Sequence, residues 1–245
     1  MLEGRADVAA LARRAPRLGG FETEAVVLPG VELLQVTYEL GGRPPESLFP
    51  PALAPTLPVL AVLAVLRAPD GPLGPFALAE LRLSCRSGVR PRQLLAGAFV
   101  DGEPARAALN DRFAFGARPA RIRLERFYDR VDSRVEAEGQ VRLETRALGP
   151  LPLAPGDLQF FSSMHPAETP KGFRLVQIDA DVHVTRAERA APEVSHFDAD
   201  AFGVPGAALA WPVAAFVALC DVTLPRVRFV CRPDVHAFTG TERVG

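Results

Sequence analysis

The sequence predicts a mainly β domain of the α+β class, built on a strongly curved sheet or a closed β-barrel with a few short helices. The chain has 245 residues and is 48% hydrophobic, which is enough to bury one large core. Strand-like segments recur along most of the chain, with short turns between them and no repeat or hinge-like linker. We therefore expect a single domain over residues 1–245, in which residues 1–20 form an N-terminal helix and extension.

Helical signals are few in the first third of the chain. Residues 6–14 have the pattern of a short amphipathic helix, which Pro16 helps to end. Residues 31–38 have the composition of a strand. Residues 46–51 predict a short helical turn that ends at prolines.

A β-hairpin is predicted next. Residues 57–67 form a continuous apolar run whose length and flanking prolines favour a strand buried on both faces. Turn residues at 69–72 separate this run from a second strand at 76–86. A short helix is expected at residues 105–109.

The second half of the chain also predicts strands. Residues 121–131 and 134–146 alternate in polarity, which predicts a hairpin that turns at residues 132–133. Residues 175–186 alternate in the same way, and residues 222–231 form the last predicted strand. Between these two strands, residues 207–218 predict a helix with Pro212 near its first turn.

Composition excludes several classes of function. The net charge is −1, so no global field attracts nucleic acid or an anionic membrane surface. The most apolar stretch, residues 57–66, is too short to span a bilayer. The three cysteines are an odd number without metal-ligand spacing, which argues against a disulfide framework and a zinc site. With no secretory signal pattern, we expect a cytoplasmic protein without a metal or other cofactor.

Four segments resemble motifs of the acetoacetate decarboxylase superfamily, in the same order along the chain. The first is the LGPF turn at residues 73–76, and the second runs from VDGEP at 100–104 through RFAFGARP at 112–119. The third is MHP…PKGFRLV at 164–176, and the fourth is CDVTLP at 220–225. The resemblance implies a closed, barrel-like domain with a central cavity, and assembly into a homo-oligomer.

The catalytic lysine of that family has no counterpart here. In the family it follows the proline of a Gly-x-Pro-Lys-Lys motif, whereas in this chain Pro119 is followed by Ala120 and Arg121. Imine catalysis needs an unprotonated primary amine, for which acetoacetate decarboxylase is the standard example, and arginine cannot form an imine. The only lysine is Lys171, in a Pro-Lys-Gly turn expected at the surface. We therefore predict no catalytic residue and no decarboxylation of acetoacetate.

Other family positions have become apolar. By resemblance, the arginine of the first strand corresponds to Val31, and two glutamates correspond to Leu63 and Leu78. These changes predict a cavity for a small apolar or oxo-acid ligand. The full set of predicted ligand-binding residues is Val31, Leu63, Leu78, Glu80, Arg112, Ala120, Arg121 and His165.

Two candidate polar sites each have a simpler interpretation. Glu80 shares a strand face with Leu78 and could replace the lost acid, but an outward glutamate paired with Arg82 or Arg123 is favoured. Residues 179, 181 and 183 (Asp, Asp, His) share another face and could bind a metal, but a solvated face is favoured.

Two further residues remain open as ligand contacts. His165 is more simply a histidine bonded to the backbone. Arg112 is equally compatible with a carboxylate contact and with a structural ion pair to Asp111.

Three hypotheses of function follow. The first is a non-catalytic homologue that binds a small ligand. The second is an enzyme of imine-free chemistry, such as a lyase, hydrolase or isomerase acting on a small oxo acid or lactone through Glu80, Asp111 or His165. The third is a structural or partner-binding subunit, which a large exposed apolar patch would favour.

Overall fold

A computed structural model describes residues 2–21 and 24–244, which form one mixed sheet of 15 strands and three α-helices. The helices are α1 (Val8–Arg14), α2 (Glu103–Phe113) and α3 (Ala237–Gly240), and 3₁₀ turns lie at Pro45–Leu48 and Pro155–Asp157. The strands are β1 (Val26–Gly41), β2 (Ala54–Pro55), β3 (Leu60–Ala68), β4 (Phe76–Ser87), β5 (Arg90–Asp101), β6 (Arg118–Pro119), β7 (Arg121–Arg126), β8 (Arg130–Ala137), β9 (Gln140–Leu153), β10 (Ser163–Thr169), β11 (Gly172–Ile178), β12 (Asp181–Phe197), β13 (Ala208–Leu224), β14 (Phe229–Cys231) and β15 (Thr241–Arg243).

The sheet folds back on itself without closing. Its strand order is β15-β14-β11-β10-β5-β4-β3-β1-β13-β12-β9-β8-β7, so β15 and β7 are the two ends of the described sheet. Strand β7 nevertheless packs against β3, β4 and β5, from which several strands separate it in this order. The mainly β fold with a few helices is therefore confirmed, whereas the hydrogen-bonded closure expected of a barrel is not confirmed.

Both faces of the central strands are buried. On one face, Leu63 of β3 and Leu81 of β4 join a cluster with residues of β7, β8 and β9, which we call the β7–β9 core. On the other face, Leu78 of β4 packs with Leu109 and Phe113 of α2, in a cluster that we call the α2 core. Burial on both faces explains why β3 is a continuous apolar run instead of an alternating one.

Several predicted elements are confirmed. Helix α1, the 3₁₀ turn at Pro45–Leu48, the β3–β4 hairpin and α2 all lie within a few residues of their predicted positions. Strand β5 was not predicted, although it pairs with β4 along nearly its whole length. No helix among the described residues is long and apolar enough to span a membrane.

The helix predicted at residues 207–218 is wrong, because this segment is the first part of β13. Residues 208–214 are mostly exposed and residues 215–218 are all buried, so neither half shows the alternation that marks a strand. Pro212 is accommodated because it lies opposite Tyr38, between two register shifts in the β1–β13 ladder.

The turns of the second hairpin also differ from prediction. Residues 132 and 133 lie inside β8, where the Ser133 hydroxyl is buried and bonded to the Thr145 hydroxyl at 2.7 Å. The actual turn joins β8 to β9 through Glu138 and Gly139, both with positive φ, as a two-residue hairpin turn requires. The strand predicted at residues 175–186 is divided into β11 and β12 at residues 179–180.

Candidate ligand-binding pocket

A small, largely apolar pocket lies on the α2 side of the sheet. Its volume is about 60 Å³, and its walls come from β1, β3, β4, α2, β12 and β13. Leu78, Ala64 and Phe115 are among the apolar lining residues, and Phe160 and the partly exposed Phe161 complete the wall on the outer side. Because one water molecule needs roughly 10–15 Å³ of such space, the pocket has room for several waters or one small organic molecule.

Three polar side chains enter this apolar lining from two strands. Glu80 and Arg82 follow Leu78 at intervals of two on β4, so all three point to the same face. Gln35 lies on β1 opposite Ala64 of β3 and also lines the pocket. The alternation of β4 therefore delivers a carboxylate and a guanidinium to the same cavity.

Glu80 and Arg82 form a buried ion pair that is only half satisfied. The Arg82 Nη2 group donates to Glu80 Oε1 at 2.5 Å, and the side chains are 2% and 21% exposed for Glu80 and Arg82 respectively. Glu80 Oε2 and Arg82 Nε are buried and have no hydrogen-bond partner among the described residues. Desolvating polar atoms without a partner is costly, so this pair is the least satisfied polar feature of the pocket.

The preferred prediction for Glu80 was wrong on one point and right on another. Its side chain is buried and does not point to solvent, because β4 is covered on both faces. Its predicted pairing with Arg82 is present.

His165 lies behind the pocket and does not line it. A carbonyl only accepts, so the His165 Nδ1–H donates to the Phe113 carbonyl at 2.8 Å, and Nε2 then accepts from the Ser163 hydroxyl at 2.7 Å. The imidazole therefore satisfies a carbonyl at the C-terminal end of α2, and its ring meets Phe115 edge-on at 4.6 Å. Burial lowers the pKa of His165 to about 3, so the ring is neutral near pH 7. The simpler interpretation, a histidine bonded to the backbone, agrees with this geometry.

The remaining predicted ligand residues do not meet at the pocket. Val31 packs in the α2 core, close in sequence to the pocket residues of β1, whereas Leu63 faces the β7–β9 core. Ala120 and Arg121 line a separate surface groove, and Arg112 donates to the Glu24 carbonyl at 3.0 Å.

Of the residues that line the pocket, the sequence predicted only Leu78 and Glu80; those it did not predict include Gln35, Arg82, Phe160 and Phe161. Arg82 had a signal, since it continues the period of two from Leu78 and Glu80. The two phenylalanines lie in an irregular segment before β10, so no periodicity marked them.

Lys171 lies at the surface, in the turn between β10 and β11. Its Nζ is 3.0 Å from Glu242 Oε2, and its side chain is 44% exposed. The hydrogen bond from Lys171 lowers the pKa of Glu242. Lys171 is not among the residues that line the pocket.

The possible metal site on β12 and its neighbouring residues is not assembled. Asp179, Asp181 and His183 are all exposed, which agrees with a solvated face. The described part of the chain contains no group of three acidic, histidine or cysteine side chains that could hold a metal ion.

A larger cleft of about 500 Å³ lies between α1, the turn at Pro45–Leu48 and residues 200–205. Arg43 and Arg118 line it, and they donate to the backbone carbonyls of Pro205 and Ala201. These bonds hold the 200–205 segment in place. The smaller pocket is the stronger candidate because it alone of the two is lined by Glu80 and Arg82, whose side chains each carry a buried polar atom without a partner.

Comparisons with known proteins identify the fold. No protein-family model matches the sequence, and no curated protein has significant sequence similarity to it. Among solved structures, acetoacetate decarboxylase from Legionella pneumophila aligns with a TM-score of 0.71 and 15% identity, over 84% of this chain and 86% of that chain. The enduracididine biosynthesis enzyme MppR complexed with pyruvate aligns with a TM-score of 0.67 and 19% identity, over 84% and 90%. An acetoacetate decarboxylase-like enzyme from Sphingomonas wittichii RW1 aligns with a TM-score of 0.62 and 16% identity, over 84% and 93%.

These alignments cover most of both chains, so the protein has the acetoacetate decarboxylase-like fold. The superfamily resemblance inferred from the four sequence motifs is thereby confirmed at the level of the fold.

Proposed function

We propose that this protein is an acetoacetate decarboxylase-like protein that does not use imine catalysis and that binds a small, largely apolar ligand in the pocket of Glu80 and Arg82. The observation that carries the proposal is the coexistence of apolar walls with two buried, unpartnered polar atoms. Ligand sites typically combine an apolar lining with a few convergent polar groups.

The absence of imine chemistry rests on the position of the only amine side chain. Lys171 is at the surface and ion-paired with Glu242, and the pocket lining contains no lysine. A nucleophilic lysine has to be unprotonated, which requires desolvation or a neighbouring cation, whereas Lys171 is half-exposed and lies beside a carboxylate. Borohydride reduction in the presence of acetoacetate is therefore expected to trap no adduct.

A thermal-shift titration tests ligand binding, because a ligand that binds only the folded state raises its stability by mass action. Pyruvate is one probe, since MppR shares the fold and is complexed with pyruvate. Acetoacetate and the neutral ketone 3-methyl-2-butanone are the others. We expect at least one probe to raise the melting temperature in a concentration-dependent manner.

A variant that fills the pocket separates pocket binding from surface binding. Ala64→Leu adds a branched side chain to the pocket wall, and we expect it to abolish the shift. His183→Leu is the matched control, because it adds a leucine at an exposed position of β12. The proposal fails if no probe stabilises the protein, or if Ala64→Leu responds as the wild type does.

Enzymatic chemistry without an imine is less well supported. It requires an acid and a base within reach of one point in the cavity. Glu80 lines the pocket, but His165 does not, and burial makes His165 a weak base with a pKa of about 3. Asp111 is exposed on α2. Ligand binding therefore accounts for the pocket with fewer requirements.

A further inference from the structure

We infer that the pocket recognises a neutral group that carries a hydrogen-bond donor beside an acceptor, such as a primary amide or a protonated carboxylic acid, and that it discriminates against carboxylate anions. This inference rests on the proposed function and names the chemical class of the ligand. It follows from which atoms of Glu80 and Arg82 are left without partners.

The two unpartnered atoms have opposite hydrogen-bonding character. Glu80 Oε2 is an acceptor that lacks a donor, and Arg82 Nε–H is a donor that lacks an acceptor. An arginine and a carboxylate often pair through two parallel bonds, but here only the bond between Nη2 and Oε1 is formed. The second half of that fork is open, and a ligand that offers one donor and one acceptor completes it.

The charge of the pair determines the charge of the ligand. The carboxylate of Glu80 and the guanidinium of Arg82 cancel, and Gln35, the other polar lining residue, is neutral. A ligand carboxylate has two acceptors and no donor, so it would satisfy Arg82 Nε but leave Glu80 Oε2 facing a like charge. Burying an uncompensated charge against apolar walls is strongly unfavourable. An amide or a neutral acid satisfies both atoms without adding charge.

Three probes of nearly the same shape test this rule. Isobutyramide carries a donor and an acceptor, 3-methyl-2-butanone replaces the donor with a methyl group, and 2,3-dimethyl-1-butene removes the acceptor as well. We expect the dissociation constant, measured by calorimetric titration, to rise about tenfold or more at each step, because each lost partner leaves a buried polar atom unsatisfied. Isobutyric acid extends the series, and its apparent affinity is expected to fall about tenfold per pH unit above its own pKa.

Variants assign the discrimination to the ion pair. Glu80→Gln replaces one carboxylate oxygen with a donor and is expected to reduce the preference for amide over ketone to within about threefold. Glu32→Gln is the matched control, because Glu32 forms a surface ion pair with Arg67 at 2.7 Å, and its preferences should equal those of the wild type.

The possible outcomes separate this inference from the proposed function. Equal binding of the three isosteric probes overturns the inference while the proposed function stands. An unchanged amide preference in Glu80→Gln also overturns the inference, and tighter binding of isobutyrate at higher pH does the same. Failure of every probe, with no difference between Ala64→Leu and the wild type, overturns the proposed function itself. The wild-type series decides the matter even if Glu80→Gln does not fold.

Discussion

Acidification from pH 7 to pH 5 should destabilise this protein through His165. The buried imidazole has a pKa of about 3 instead of its ordinary 6.5, because burial penalises the charged ring. The folded-state pKa is the lower one, so the unfolded chain takes up the proton first. The stability from the neutral ring is therefore fully present above pH 6.5 and is lost as the pH falls toward 3.

The size of the effect follows from the pH window between the two pKa values of His165, in which only the unfolded chain carries the proton. Between pH 6.5 and pH 5, stability should fall by about 1.4 kcal/mol per pH unit, or about 2 kcal/mol in total. Asp198 and Glu242 have lowered pKa values, through backbone bonding to Ala201 and the hydrogen bond from Lys171 respectively. These carboxylates therefore contribute only at more acidic pH, outside the window.

Urea unfolding, followed by circular dichroism at intervals between pH 7 and pH 5, measures this slope. His165→Gln removes the titrating ring, and we expect a less stable protein whose stability is nearly flat over this range. His183→Gln is the control, because His183 is exposed, and it should retain the wild-type slope. A flat wild-type profile, or an unchanged slope in His165→Gln, would refute the assignment.

Three further predictions concern the ion pair, the lysine and the surface. Arg82→Met leaves a buried carboxylate without its partner and should lower the free energy of unfolding, measured in urea, by about 3 kcal/mol. Adding Glu80→Leu should recover most of that loss. Equal losses for the single and the double variant would contradict this prediction. Lys171→Ala removes only a half-exposed ion pair, so it should change stability by less than about 1 kcal/mol and leave probe binding intact. A reduced adduct at Lys171 after borohydride treatment with acetoacetate would disprove the imine-free proposal. Trp211 and Val213 lie in the exposed part of β13 and are 70% and 50% exposed. We therefore expect Trp211→Ser to lower the mass of the predicted homo-oligomer in light scattering, and a monomeric wild type would contradict this prediction.

Local signals predicted many of the elements and the acetoacetate decarboxylase-like fold. These signals depend only on residues that are neighbours in the sequence. They are the proline and glycine turns around β3 and β4, the alternation of β8 and β9, and the four ordered motifs. The sequence also shows that Lys171 is the only lysine. The chain therefore has only one side-chain amine that could form an imine.

Burial was decided only by the tertiary structure. Ala215 to Ala218 gave no strand period because β13 is covered on both faces there, and β5 was missed although it pairs with β4. Glu80 was expected at the surface, since most glutamates are exposed, and only the placement of α2 over that face of the sheet made it a buried partner for Arg82. An alternation with a period of two shows which residues of a strand share a face. Whether that face meets solvent or a core depends on elements that are distant in sequence.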